Sequence, residues 1–117
     1  MCFCEGFPLG NHSPCVFQIF RLLYIYFLCV FQVTWLNKMG VTHFDLKLEN
    51  ILYNSSHNEI KLIDFGHAIM GKYSNAFPGT EICAPPEYLS TMYCHPIQTT
   101  IWTLGLILYE ITHGMQC

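Results

Sequence analysis

Charge is what this sequence has least of. Asp, Glu, Lys and Arg make up 11% of its 117 residues, against about 25% in ordinary soluble domains. Only five residues are basic, no two of them adjacent, and the net charge is −3. That leaves no basic stripe or run to follow a phosphate backbone, so nucleic acid is not an expected partner. C-x-x-C pairs are also absent. The seven cysteines (Cys2, Cys4, Cys15, Cys29, Cys83, Cys94 and Cys117) are odd in number and irregular in spacing. This argues against a structural zinc site and against a disulfide framework, and reduced thiols in a cytosolic protein are expected. No apolar run approaches the roughly 20 residues that span a bilayer. The longest uninterrupted one, Leu22 to Phe31, has ten, and Arg21 sits at its edge. The first 20 residues hold no Lys or Arg, which a signal peptide would place ahead of its apolar core.

Apolar residues, by contrast, make up 52% of the chain. A single small domain is all that 117 residues allow, and it cannot easily bury so much Phe, Tyr, Leu and Ile. Exposed apolar surface of this kind calls for a protein partner or, as the lesser expectation, a lipid surface.

Residues 1–15 contain Gly6, Pro8, Gly10, Asn11, Ser13 and Pro14, too much punctuation for a regular element. From Val16 to Asn37 the chain reads as a buried helix, although its Phe, Tyr and Val content would also suit strands. Gly40 is placed to end that helix as a left-handed cap. Ile51–Tyr53 and Ile60–Ile63 read as two strands around the turn Asn54-Ser55-Ser56-His57-Asn58. Asp64 to Pro86 shows no periodicity, as functional loops often do not. A second helix is expected over Ile97–Thr112, ended by Gly114. Its Ile97, Ile101, Leu104, Leu108 and Ile111 recur at helical spacing as a core-facing stripe.

The chemistry is concentrated in His43-Phe44-Asp45-Leu46-Lys47-Leu48-Glu49-Asn50. A carboxylate on such a loop can accept a proton from an attacking hydroxyl. A lysine two residues on can neutralise a transferring phosphoryl group, and an amide oxygen can ligate a hard cation. Taken alone, such a polar loop is ordinary. However, Asp64-Phe65-Gly66 follows immediately after an apolar strand, then Gly79-Thr80, Ala84-Pro85-Pro86-Glu87 and Trp102-Thr103-Leu104-Gly105.

Together these motifs resemble the serine/threonine protein kinases, whose signature runs H-R-D-L-K-x-x-N, then D-F-G, then A-P-E. The resemblance covers about residues 22–117. Pro85-Pro86-Glu87, the run Lys61 to Gly66 and Thr100 in place of an Asp before Trp102 look most like the PIM-type branch. The resemblance implies a protein kinase-like α+β fold. This would be a mainly α C-terminal lobe fragment with a short β-hairpin over residues 16–117, without the N-terminal lobe.

It further implies ATP and Mg2+ as cofactors and protein serine or threonine as substrate. Asp45 would be the catalytic base and Lys47 the phosphate-contacting lysine. Asn50 and Asp64 would be the magnesium and nucleotide ligands. Phe65, Gly66, Thr80 and Glu87 would belong to the activation and substrate segment. His43 and Trp102 would be structural. The cytoplasm is the default compartment.

Two departures matter. Phe44 replaces the arginine that commonly gathers an activation-loop phosphate, so Tyr73, Ser74 and Thr80 are poor candidates for switch sites. No Gly-rich loop or Val-Ala-Ile-Lys strand precedes the catalytic segment, and the first lysine is Lys38. The expectation is a truncated kinase, inactive alone, with a pseudokinase-like binding module or a fragment without function as the alternative.

Overall fold

The computed structural model describes residues 16–71, 77, 79 and 81–114. The expected irregular segment 1–15, Thr80, and Tyr73 and Ser74, which the sequence disfavours as switch sites, lie outside the described residues. Helix α1 runs Val16–Lys38 and ends where Gly40 turns to φ +79°, close to the expected boundaries. Leu22, Ile25, Cys29 and Val33 are its buried positions, spaced three, four and four residues apart. One narrow stripe therefore faces inward while the rest of the helix does not.

Four short strands follow: β1 Val41–Thr42, β2 Ile51–Asn54, β3 Glu59–Leu62 and β4 Ile69–Met70. β2 and β3 form the expected hairpin, antiparallel with Ile51 opposite Leu62 and Asn54 opposite Glu59. Asn54 Oδ1 accepts from Ser56 N at 3.0 Å, and Asn58 takes φ 52°, local asparagine chemistry that turns the chain. Alternation along β3 buries Ile60 and Leu62 and leaves Glu59 and Lys61 in solvent. The second ladder, β1 against β4, joins residues 41–42 to 69–70 and was not expected.

Helices α2 (Pro86–Thr91) and α3 (Pro96–His113) complete the described chain. α3 packs on α1, so that Ile107 and Ile111 join Leu22, Ile25, Cys29, Val33, Leu46, Ile51, Ile60 and Leu62 in one core. Each such side chain fully withdrawn from water contributes about 1.5–3 kcal/mol. Gln32 Nε2 donates to the Ile60 carbonyl at 2.9 Å, tying α1 to the hairpin.

The apolar stripe expected on α3 holds only in its second half. Ile97 and Ile101 are exposed, and Thr99 and Thr100 are buried instead. Thr100 Oγ1 donates to its own helix at the Pro96 carbonyl, 2.7 Å away. Satisfied within the helix in this way, that hydroxyl can be buried at little cost. Trp102 also departs from a core role: it is partly exposed, and its indole N–H donates to the Cys83 carbonyl at 3.1 Å. Burial pushes the Cys29 thiol up to about 12, so it stays protonated and inert as a small core residue. Cys83 is disulfide-bonded, which departs from the expectation of reduced thiols throughout.

Gln18–Lys38 is long and apolar enough to cross a membrane by length and composition. In this fold, however, its Leu22–Ile25–Cys29–Val33 face carries the core. The opposite face exposes Phe20, Tyr24, Phe27, Phe31 and Trp35 in a continuous line.

Candidate active site

His43 organises the site. It is buried, and both ring nitrogens are engaged. The Asp45 amide donates to Nδ1 at 3.1 Å, so Nδ1 must be the bare nitrogen. Nε2 therefore carries the proton and donates to the Ile63 carbonyl at 2.8 Å. Ile63 N in turn donates to the Asn50 carbonyl at 3.0 Å. One imidazole and one peptide group thus join the loop carrying Asp45 and Asn50 to the residue just before Asp64. The Phe65 ring stacks edge-on against His43 with centroids 4.8 Å apart.

Asp45 is 7% exposed and holds several partners close. Asn50 Nδ2 donates to its backbone carbonyl at 2.8 Å and to Oδ2 at 3.3 Å. Lys47 Nζ lies 3.8 Å from Oδ2. Asp64 takes a left-handed φ of 60°, and its Oδ1 accepts from Gly66 N at 3.3 Å. Asp is one of the few residue types that tolerates this conformation, because its short side chain can bond locally. The sequence-expected Asp45, Lys47 and Asn50 are therefore together, and Asp64 is tied to them through Ile63. Glu87 stands apart in α2, with Oε1 buried and without a hydrogen-bond partner among the described residues.

The donor set fits magnesium. Asn50 spends its amide N–H groups on Asp45, and its Oδ1 makes no hydrogen bond among the described residues. Among the described residues no three His, Cys, Asp or Glu side chains converge into an all-protein cage. Magnesium keeps several waters and phosphate oxygens and takes one or two protein ligands, so an amide oxygen and a carboxylate suffice.

Two features escaped the sequence reading. His67 Nδ1 lies 3.6 Å from Asp45 Oδ2, placing an imidazole on the expected base. A cavity of about 130 Å³ beside Asp45 is walled by Glu49 and by Glu110 of α3. Burial, and then the charge of Glu49, push Glu110 up to about 7. Glu110 lies 61 residues from Glu49, so no local pattern could have paired them.

This shift has a measurable sign. Below the usual glutamate range Glu110 is protonated in both folded and unfolded chain. As pH rises from about 4.5 to about 7 the unfolded chain ionises first, so stability falls, and it levels off above that window. Glu110→Gln is therefore expected to match wild type in urea midpoint at pH 4 and to exceed it at pH 8. Equal midpoints at both pH values would contradict this.

Comparison with known proteins decides what the assembly belongs to. Residues 25–117 match the family model described as protein kinase domain. This chain belongs to the protein kinase family. It is 37% identical over 84 residues to serine/threonine-protein kinase pim-2 of Danio rerio, covering 70% of this chain and 27% of that protein. It is 42% identical over 79 residues to NUAK family SNF1-like kinase 2 of Rattus norvegicus, covering 64% of this chain and 12% of that one. A PAS domain-containing serine/threonine-protein kinase of Mus musculus is 37% identical over 114 residues, covering 90% and 8%. The kinase chain thus spans about a quarter or less of these relatives. Its mostly helical fold with two short antiparallel strand pairs is that of a partial kinase domain.

Within that family the departures acquire a structure. Phe44 is buried with φ 65° and turns its ring toward Phe77, while Thr100 bonds its own helix.

Proposed function

We propose that this chain is the catalytic-loop portion of a serine/threonine protein kinase that transfers the γ-phosphoryl of ATP to a protein hydroxyl. The observation that carries the reading is the joined pair of motifs, with Asn50 and His43 both bonded to Ile63 and Asn50 bonded to Asp45. In this reading Asp45 orients the acceptor hydroxyl and takes its proton, and Lys47 offsets charge on the transferring group. Asn50 and Asp64 hold magnesium, which supplies charge neutralisation at the phosphates when bound. Lys47, two residues after the base, supports serine or threonine over tyrosine as acceptor. Pro85-Pro86-Glu87 and the zebrafish pim-2 likeness favour a PIM-like branch, and the likeness to NUAK kinase 2 offers a competing branch.

The carboxylates Glu49 and Glu110 beside Asp45 support a substrate with a basic side chain near its acceptor hydroxyl. Affinity for an arginine-containing peptide that Glu110→Gln leaves unchanged would remove this part of the reading.

These residues include no glycine-rich loop and no lysine ahead of Lys38, so nothing here matches the usual cradle for the ATP phosphates. We therefore read the isolated chain as inactive in turnover. A second reading, a pseudokinase-like module that binds a protein partner, draws support from the exposed aromatic line on α1. Magnesium-dependent ATP binding by calorimetry, comparing wild type with Asp64→Asn, separates the two. Saturable binding lost in the variant is expected for a nucleotide half-site. A folded chain indifferent to nucleotide would leave the binding module.

A further inference from the structure

An arginine at the position before Asp45 would work through a phosphate. Phe44 has a different set of neighbours. Its ring lies 6.4 Å from that of Phe77 at 73°, and Phe77 lies 5.8 Å from Tyr88 of α2 at 47°. Both centroid separations fall in the range where aromatic rings attract, the first pair edge-to-face and the second tilted. The backbone closes the same junction. A Cβ placed on Gly79 would collide with the Phe44 carbonyl and would come within 2.8 Å of the Phe77 ring. Only glycine allows that approach. Phe44 itself is held at φ 65°, a left-handed conformation that is uncommon for a bulky residue and persists only where its surroundings impose it.

We infer that Phe44, Phe77 and Tyr88 form an aromatic latch that fastens the chain at Phe77 and Gly79 to the catalytic loop and to α2 by apolar contact, without a phosphate. Three properties follow from its chemistry. It needs no modification to close. It is insensitive to salt, because no charge pair is involved, whereas an arginine–phosphate tether on the surface weakens as ions screen it. It also depends on rings, not on the Tyr88 hydroxyl. That the latched residues present a peptide substrate to Asp45 rests on the kinase reading; the latch itself does not.

The test is hydrogen exchange on the unmodified full chain, without nucleotide, following the amides of Phe77, Gly79 and α2. Phe77→Ala is expected to speed exchange there about tenfold or more, while amides of the α1 core from Ile25 to Val33 keep their protection. Tyr88→Phe keeps the ring and is expected to change nothing. Phe77→Leu retains apolar volume, protects the fold, and is expected to give a smaller rise at the same amides. Exchange unchanged in Phe77→Ala, protection lost in Tyr88→Phe, or wild-type protection abolished by about 1 M salt would each overturn the latch. The Asp64→Asn calorimetry is read independently, so the latch and the kinase reading fail separately.

Discussion

Replacing His43 by alanine is expected to destabilise the protein by about 3 kcal/mol or more, with the urea midpoint falling and the slope unchanged. Two backbone groups lose their partner, one buried and one half-buried. The Asp45 amide and the Ile63 carbonyl both pair with this imidazole, and His43 is 2% exposed, so water cannot replace it without rearrangement. A buried donor or acceptor left unpaired costs about 1–3 kcal/mol, in full for the Asp45 amide and in part for the half-buried Ile63 carbonyl. Loss of the ring also removes the surface against which Phe65 packs and adds a cavity term. A small domain has about 5–15 kcal/mol in total, so this one substitution consumes a large share. Beyond stability, the peptide before Asp64 would lose one of its two anchors, and Asn50 would remain as the other. A midpoint shifted by less than about 1 kcal/mol would show that the ring is not what joins the two motifs.

An aspartate at Ile25 is expected to unfold the chain, while an aspartate two residues later, at Phe27, is expected to leave it folded. Ile25 is 3% exposed and Phe27 is 69% exposed on the same helix. The first substitution deletes a buried aliphatic side chain and places a carboxyl group in the core cluster that holds Cys29 and Ile107. The combined cost is about 4 kcal/mol or more, within the range where single changes become diagnostic. The second replaces an exposed ring and is expected to cost under about 1 kcal/mol while improving solubility. Circular dichroism melting of the two variants reads the difference directly. Equal tolerance of both would mean that the buried stripe of α1 is not a core. Equal intolerance would favour a helix surrounded by lipid, for which both faces are apolar positions.

What could be read from the sequence shares one property: it is local in the chain. The cap at Gly40, the turn after Asn54 and the alternation of Ile60 and Leu62 each follow from neighbouring residues, and so do the ends of α1 and the hairpin. The loop from His43 to Asn50 is also local. Asn50 reaches Asp45 across five residues, which is why the spacing of those types was informative. Asp64 announced itself by following a strand, although its left-handed backbone did not.

Tertiary structure decided the questions that need a second segment. Helical periodicity showed that α3 has a stripe every three to four residues, but not how the helix is rolled against α1. The roll buries Thr99 and Thr100 and exposes Ile97 and Ile101; the Thr100 hydroxyl is satisfied inside its own helix, whereas the Thr99 hydroxyl is buried without a hydrogen-bond partner among the described residues. The two-residue strands β1 and β4 are too short to carry a pattern, and they exist only as a pair. Glu110 became a titrating neighbour of Glu49 only when α3 came against the catalytic loop, since desolvation and Coulomb interaction depend on distance in space. Phe44 shows both levels at once. Its presence in the motif announced that no arginine would gather a phosphate there, and only the folded chain supplied Phe77 and Tyr88 as its partners.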